Sequence, residues 1–190
     1  MNIGQVKEIL GEEFGRVIDF LSSVVVKLEL AKNSKVLDIG TGRAHMAITL
    51  ALHGYKVITG EPEGVYWADW RISAKKVSVE EMITFKPFNA ENLPFEDASF
   101  DAIFLYATFH HIDNKERALS ELLRVMKSEG RLVIIELTEA GINSVRKRYK
   151  SHPDAVDPRD FTKGLGLKVK VIESRDLNAY IYKGSSDNSN

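Results

Sequence analysis

Apolar residues recur along the first thirty positions at the spacing of a helix. From Val6 to Leu21 they follow one another at steps of three and four residues, which predicts an amphipathic helix. A second helical stretch, or a continuation of the first, is predicted from Val24 to Leu30. The N-terminal segment 1–33 is a candidate lid over a cofactor site, because it precedes the first strand and carries an apolar face. The alternative is that it simply covers the core.

Beyond this segment, short apolar runs alternate with amphipathic stretches. The runs predict five strands, at 35–39, 55–59, 82–88, 100–105 and 131–137. The stretches predict helices at 45–53, 65–76 and 115–127, with a short helix at 161–165. The least regular part, 138–159, is interpreted as a solvated helix or a mobile segment beside a site.

This alternation predicts right-handed βαβ units and a sheet covered on both faces. Two further runs, 167–173 and 178–183, are joined by a link too short for a crossover helix, so we expect an antiparallel hairpin. The predicted fold class is α/β: a doubly wound, Rossmann-like seven-stranded sheet, mostly parallel, with a C-terminal antiparallel hairpin. A single domain is expected over 1–183. The tail 184–190 lacks apolar residues and is expected to be disordered.

Composition narrows the classes of protein. The chain has 190 residues, 26 basic and 27 acidic, so its net charge of -1 gives no general attraction to nucleic acid or membrane. The absence of cysteine excludes disulfides and thiolate chemistry. No window has the apolar length of a membrane span, and charges interrupt the N-terminus where a signal peptide is apolar. We expect a cytoplasmic monomer or homodimer with no membrane or nucleic-acid partner.

A glycine loop follows the first predicted strand. Gly40 and Gly42 allow a sharp turn and the close approach of a ligand. Glu61 ends the second strand about twenty residues later, where an acid accepts hydrogen bonds from ribose hydroxyls. Strand, glycine loop, helix and acid together indicate a nucleoside site at the carboxyl edge of the sheet.

Charge discriminates between nucleoside cofactors. A dinucleotide would set its pyrophosphate over the loop, where the fingerprint requires a third glycine and this chain has His45. Asp38 would face the same diphosphate, whereas S-adenosylmethionine offers a sulfonium and an ammonium. At an effective dielectric of ~20, a charge pair about 4 Å apart is worth ~4 kcal/mol before desolvation. Asp38 therefore favours the cationic cofactor. The alternative is that Asp38 only caps amides of the loop.

Five segments, in order, resemble the motifs of the class I S-adenosylmethionine-dependent methyltransferases. Within this family, the segments are similar to those of the small-molecule branch that includes the quinone-biosynthesis enzymes. The segments are 36–42, 54–62, 89–95, 99–103 and 118–132. This resemblance implies an enzyme that uses S-adenosyl-L-methionine to methylate a small-molecule acceptor. It also implies a set of cofactor-binding residues: Asp38, Gly40, Thr41, Gly42, Glu61, Asn89, Ala90 and Tyr106.

The chain departs from the family pattern at two positions, and the register at a third is ambiguous. Ala44 stands where a third glycine is usual. Asn89 replaces the commoner aspartate, so its amide oxygen must accept the hydrogen bond from the adenine amine. A shift of one residue around Pro62 would give the ribose to Glu63, although we prefer Glu61.

Candidate catalytic residues follow the fourth strand. His110 is a candidate base for the acceptor, since imidazole titrates near neutral pH, and Tyr106 is a candidate for lining the transfer channel. His111 is expected to order the loop by bonding to the backbone, and Tyr106 has packing as its alternative. Trp67 and Trp70 lie one helical turn apart and are interpreted as core. The remaining histidines have no metal-ligand spacing, so no metal is predicted. They are His45, His53 and His152.

Three other functions compete with this hypothesis. A sensor or partner subunit would keep the cofactor site without catalysis, and a nicotinamide-dependent oxidoreductase is disfavoured by Asp38 and His45. An RNA or protein methyltransferase is disfavoured because 105–108 lacks the Asn-Pro-Pro-aromatic motif used for flipped bases and amide nitrogens.

Overall fold

A computed structural model describes residues 2–63 and 69–184 and arranges seven strands in one sheet. The strand order is β3-β2-β1-β4-β5-β7-β6. β7 runs antiparallel to both of its neighbours, β5 and β6, while the pairs from β3 to β5 are parallel. The predicted fold class is confirmed. The strands are β1 (Val36–Ile39), β2 (Val57–Gly60), β3 (Ile83–Phe85), β4 (Phe100–Tyr106), β5 (Met126–Leu137), β6 (Leu167–Glu173) and β7 (Leu177–Gly184).

The sheet separates two hydrophobic cores because successive residues of a strand point to opposite faces. In β1, Val36 packs into one core, and Leu37 and Ile39 pack into the other. Helices α1 (Ile3–Lys27), α2 (His45–Leu52) and α3 (Trp70–Lys76) cover the first core. Helices α4 (Lys115–Val125) and α6 (Arg159–Thr162) contribute to the second. Helix α5 (Glu139–Arg146) follows β5.

The N-terminal segment forms one kinked helix rather than two. Asn2 caps α1 by accepting the N–H of Gln5 at 3.0 Å, and the kink lies at Gly11, whose φ of 80° is non-helical. Phe14 and Ile18 are buried in the first core. This burial favours the alternative in which α1 covers the core, and a lid role stays a prediction. None of the helices in the described part of the chain combines the length and apolar character needed to cross a bilayer.

Several predicted boundaries shift for local reasons. The third strand was expected over 82–88 but spans Ile83–Phe85, since a 3-10 turn at Glu80–Met82 precedes it. Beyond the strand, only single hydrogen bonds from Lys86 and Phe88 to the carbonyls of Thr59 and Glu61 continue toward β2. The short helix expected at 161–165 is Arg159–Thr162, and Gly164 follows it with a φ of 82°. Gly184 ends β7 instead of starting the tail.

Other predictions are settled only in part. The irregular segment 138–159 contains α5, which begins where the Thr138 hydroxyl accepts the N–H of Gly141. The helix expected over 65–76 is present from Trp70, and Trp70 is buried in the first core, as predicted. Residues 64–68, with Trp67, and the tail residues 185–190 lie outside the described residues.

The strand order reverses between β1 and β4, and this topology positions the candidate site. The two strands are parallel neighbours, so their carboxyl ends meet at one edge of the sheet. The loop after β1 packs against the loop after β4 at this edge. Crevices at such a switch point are where open α/β sheets bind ligands.

Candidate active site

A cleft of about 680 Å³ opens at the switch point, between the loops that follow β1, β2 and β4. All of the predicted cofactor-binding residues except Asp38 line it. A cleft of similar size, about 750 Å³, opens between Lys32–Val36 and Phe100, at the amino ends of the strands. The cleft at the carboxyl edge is the one that holds the predicted chemistry. Its lining residues on the cofactor side are Ile39, Gly40, Thr41, Gly42, Met46, Gly60, Glu61, Phe88, Asn89 and Ala90.

Gly40 is required by the geometry of the loop. Its φ of +84° lies in the left-handed region, and a Cβ on Gly40 would lie 2.2 Å from the Thr108 hydroxyl oxygen. Gly42 also has a positive φ, +48°, but nothing lies within 4 Å of a Cβ added there. The glycine loop is therefore held against the loop after β4 at Gly40 and open toward the cleft at Gly42.

Asp38 lies beneath the loop instead of lining the cleft. The Thr59 hydroxyl donates to Asp38 Oδ2 at 2.8 Å, and the Thr41 and Thr59 hydroxyls are 2.9 Å apart. Asp38 is 1% exposed, and its Oδ1 has no hydrogen-bond partner in the described structure. Burial raises the pKa of Asp38 to about 7; the Thr59 hydrogen bond opposes this rise and the charge of Glu61 adds to it. A donor or a cation near Oδ1 would relieve the cost of this burial.

Glu61 and Glu63 occupy different environments. Glu61 lines the cleft, and its Oε1 accepts the N–H of Gly42. Glu63 is exposed and is not among the lining residues. Of the two carboxylates, Glu61 is therefore the one that a ligand in the cleft could contact, and its role toward a ribose stays a prediction.

Gly60 is among the cofactor-side residues that the sequence analysis missed. Gly60 lines the cleft, and a Cβ there would lie 1.9 Å from the Lys86 carbonyl oxygen. Its position at the end of a strand, directly before Glu61, was the available signal. Opposite it, Asn89 is exposed and uses its amide oxygen to accept the N–H of Glu91 at 2.9 Å. That oxygen retains a second lone pair for a ligand.

Tyr106 lines the cleft and packs against the ring of His45. Its ring meets His45 edge-on at 6.0 Å, and His45 lies 5.4 Å from Phe14 of α1. Burial raises the pKa of the Tyr106 hydroxyl, and the charges of Glu13 and Glu136 raise it further. The hydroxyl therefore stays protonated near neutral pH, so Tyr106 suits hydrogen bonding to a ligand and does not suit proton abstraction.

His110 was expected at the mouth of the cleft but lies behind its wall. The side chain is 1% exposed, and Nδ1–H donates to Glu136 Oε2 at 2.5 Å. Glu136 Oε1 accepts the N–H of Phe109 at 2.8 Å, so one carboxylate fixes both residues. Phe109, the residue before His110, is fully buried. Sequence reasoning missed Glu136, although an acid inside the apolar run of β5 was the signal.

His111 is the imidazole that lines the cleft. Burial, and then the charges of His110 and His152, lower the pKa of His111. Its ring makes no hydrogen bond to the loop among the described residues, unlike the ordering role expected for it. Its ring centroid lies 4.1 Å from that of His110 and 5.5 Å from that of His152. The consecutive residues His110 and His111 thus meet His152, from a distant part of the chain, beside the cleft.

The doubly wound sheet with a cleft at its switch point defines the class of α/β proteins that bind ligands at the carboxyl edge of a parallel sheet. Residues 37–134 match the model of a methyltransferase domain family, which is more than half of the chain. The chain belongs to this family.

Curated relatives and a solved structure agree with this assignment. Demethylmenaquinone methyltransferase of Clavibacter sepedonicus is 29% identical over 153 residues, which is 80% of this chain and 57% of that protein. The ubiquinone/menaquinone biosynthesis C-methyltransferase UbiE of Cronobacter sakazakii is 26% identical over 163 residues, 82% of this chain and 59% of that protein. The chain thus spans less than two thirds of these relatives' length.

The solved structure is that of a SAM-dependent methyltransferase from Aquifex aeolicus. It has a TM-score of 0.64 and 20% identity, and the match covers 96% of this chain and 98% of that chain. At this identity the likeness shows the shared fold.

Proposed function

We propose that the chain is an enzyme that binds S-adenosyl-L-methionine in the cleft and transfers its methyl group to a small-molecule acceptor. The observation that carries the proposal is the buried carboxyl of Asp38 beneath the glycine loop, with Oδ1 lacking a partner within the described residues. A buried acid at this position disfavours a pyrophosphate and favours a cationic ligand. Membership of the methyltransferase family supports the same cofactor.

The residues that line the cleft fit the parts of this cofactor. Glu61 would accept hydrogen bonds from the ribose hydroxyls in exchange for its contact with the Gly42 amide. Asn89 and Ala90 would border the adenine. When bound, S-adenosylmethionine supplies a methyl group activated by a sulfonium leaving group.

The role of the protein in catalysis is then to orient the acceptor and to exclude water. Proximity of well-oriented reactants contributes roughly 7–11 kcal/mol, so a dedicated base is not required. Tyr106 and His111 border the space where the acceptor would meet the methyl group. His110 lies behind this wall, and its catalytic role stays a prediction; the contact with Glu136 favours a positioning role.

The relatives indicate a class of acceptor. Their names place them in quinone biosynthesis, one of them as a C-methyltransferase. The acceptor side of this cleft is bordered by Tyr106, Ala107 and Ile112 with the imidazole of His111, a surface suited to a ring with polar substituents. We infer a small, partly apolar acceptor in preference to nucleic acid, which the net charge of -1 does not attract.

Cofactor binding is tested by isothermal titration. The chain should bind S-adenosylmethionine and S-adenosylhomocysteine at micromolar levels, and NAD at least about tenfold more weakly. Glu61→Ala should lose ~1.5–3 kcal/mol of cofactor affinity, the size of a charge-assisted hydrogen bond. Glu63→Ala is the matched control and should bind like the parent chain. Tighter binding of NAD, or a loss confined to Glu63→Ala, would contradict the assignment.

Catalysis is tested separately by transfer of a labelled methyl group to a panel of quinols, phenols, peptides and RNA. Transfer to a quinol or phenol would support the proposed acceptor class. Tight cofactor binding without transfer to any member would favour the sensor or partner-subunit hypothesis instead.

A further inference from the structure

Three imidazoles converge beside the acceptor side of the cleft. Potential ligand nitrogens of His110, His111 and His152 all lie within 4.8 Å of one another. The ring of His152 is 5.0 Å from that of His110. A tetrahedral metal with bonds of 2.0–2.1 Å holds its nitrogens about 3.4 Å apart, so small side-chain rotations would bring the three into coordination.

Two of these rings are already oriented by their other nitrogen. Nδ1–H of His110 donates to the buried Glu136 carboxylate at 2.5 Å, and Nδ1–H of His152 donates to the Pro153 carbonyl at 3.1 Å. Metal-binding histidines are usually held in this way, by a carboxylate or a backbone carbonyl that fixes the tautomer. In both rings Nε2 is thereby left as the nitrogen with a free lone pair.

An orphaned nitrogen provides a second, independent observation. The His110 side chain is only 1% exposed, and its Nε2 has no hydrogen-bond partner in the described residues. A buried polar atom without a partner destabilises the fold, and a ligand on Nε2 would remove that cost.

The segment that carries His152 is also fixed in place. Arg146 of α5 donates from Nε and Nη2 to the His152 carbonyl at 2.9 and 2.7 Å. The same guanidinium pairs with Asp154 at 2.6 Å. These contacts tie the segment that contains His152 to α5, so the position of His152 is fixed locally.

We propose that His110, His111 and His152 form a site for a divalent transition metal, with Zn²⁺ as the best match. Three imidazoles with an open fourth position are an arrangement that catalytic zinc uses, and imidazole is poorly suited to Mg²⁺ or Ca²⁺. The buried Glu136 carboxylate offsets part of the charge of the metal. This proposal replaces the expectation of no metal, which considered histidines only by their spacing in sequence.

The position of the site gives it a role that rests on the proposed function. His111 lines the cleft, so the site borders the space assigned to the acceptor. A metal-bound hydroxyl or phenol loses its proton far more readily than a free one, because the cation stabilises the oxyanion. We infer that the open position binds an acceptor oxygen.

The test uses the full chain without a polyhistidine tag, stripped of metal and with no cofactor or acceptor present. Titration with Zn²⁺ against a chelating indicator should show one equivalent bound at micromolar affinity or tighter. Co²⁺ should give the visible absorption bands of a four-coordinate site. His152→Ala should weaken Zn²⁺ binding ~100-fold or more, and Glu136→Gln ~10–100-fold.

His53→Ala is the matched control, because its imidazole bonds to Ser22 and lies outside the cluster. It should leave Zn²⁺ affinity unchanged. Circular dichroism and S-adenosylmethionine titration on the same samples separate loss of the site from loss of the fold or of the proposed function. His111→Ala provides a second variant if His152→Ala unfolds. Substoichiometric binding, or equal weakening by His152→Ala and His53→Ala, would overturn the metal site. Catechol should shift the Co²⁺ bands, and unchanged bands would overturn the assigned acceptor role.

Discussion

The two sides of the cleft are built in different ways. The cofactor side is made mainly of two short segments of backbone. One is the loop from Gly40 to Gly42, and the other is Gly60 with Glu61 at the end of the next strand. The acceptor side depends on side chains from three distant parts of the chain, namely the segment after β4, Glu136 on β5 and His152 beyond α5. One side is determined by local conformation and the other by tertiary contacts.

The difference also appears in how each side buries polar groups. Beneath the cofactor side, Asp38 keeps one carboxylate oxygen without a partner in the described structure, and the pKa of its carboxyl is raised to about 7. On the acceptor side, Glu136 has both oxygens bonded, and the unpartnered atom is His110 Nε2. Each side thus leaves one buried atom available to the ligand that we propose for it.

Gly40→Ala should have the largest effect on stability, because it disrupts the cofactor side of the cleft. The new Cβ would lie 2.2 Å from the Thr108 hydroxyl, and the φ of +84° disfavours any L-residue with a side chain. We expect a loss of about 4 kcal/mol in the free energy of unfolding, together with loss of cofactor binding. Urea unfolding and isothermal titration measure the two effects.

Gly42→Ala is the control for this experiment. Its φ of +48° imposes strain, but open space surrounds the added Cβ, so a loss of about 1 kcal/mol is expected. Equal losses in the two variants would show that strain alone matters and that the contact between the loops does not.

Glu136→Ala should break the acceptor side and leave the cofactor side intact. It removes the acceptor of the Phe109 N–H and of His110 Nδ1–H, both buried, so about 3 kcal/mol of stability should be lost. Glu136→Gln keeps an oxygen for Phe109 and should lose less. In the folded fraction, S-adenosylmethionine affinity should match that of the parent chain. A loss of affinity as large as that of Glu61→Ala would show that the two sides are coupled.

The cofactor side could be predicted from the sequence because its determinants are short-range. Gly40, Gly42 and Glu61 are separated by a known strand–helix spacing, and the parallel pairing of β1 with β2 then brings them together. Asp38 was expected beside this loop, and the structure places its side chain beneath the loop. It does not line the cleft because alternate residues of β1 face opposite sides of the sheet.

The acceptor side could not be predicted in the same way. The contact between His110 and Glu136 depends on the pairing of β4 with β5, and a shift of one residue would turn Glu136 to the other face. His152 reaches the cluster only through the path of the chain after α5, which no periodic pattern specifies. The fold class follows from periodicity, whereas these side-chain contacts follow from register and loop path.

Asp38→Asn should stabilise the chain at high pH while weakening its ligand site. The folded pKa of about 7 exceeds the ordinary value of 3.8 for an aspartate, so the folded state holds its proton more tightly than the unfolded state. Stability contributed by the protonated carboxyl is therefore lost as pH rises from about 4 to 7, and the loss is complete above pH 7. Removing the charge should recover about 1–3 kcal/mol at pH 8 and little at pH 4, since the new amide also lacks a partner.

Unfolding free energies of both chains from pH 4 to 8 measure this difference. The parent chain should also bind S-adenosylmethionine more tightly at pH 8 than at pH 6, and Asp38→Asn should flatten that profile. A stabilisation that does not change with pH would show that burial of the charge is not its cause.

Glu13→Gln should have the smallest effect and tests whether α1 is more than core cover. Glu13 pairs with Arg43 of the glycine loop at 2.7 Å and lies 3.8 Å from Arg148, with about half of its side chain exposed. An exposed pair of this kind contributes ~1 kcal/mol or less, and salt screens it. If α1 acts as a lid, cofactor release measured by stopped flow should become several-fold faster in Glu13→Gln. Glu12→Gln removes a pair with Arg16 within α1 and should leave release unchanged, since that pair does not reach the loop. Equal release rates in the parent and both variants would leave α1 as core cover, held by Phe14 and its apolar neighbours.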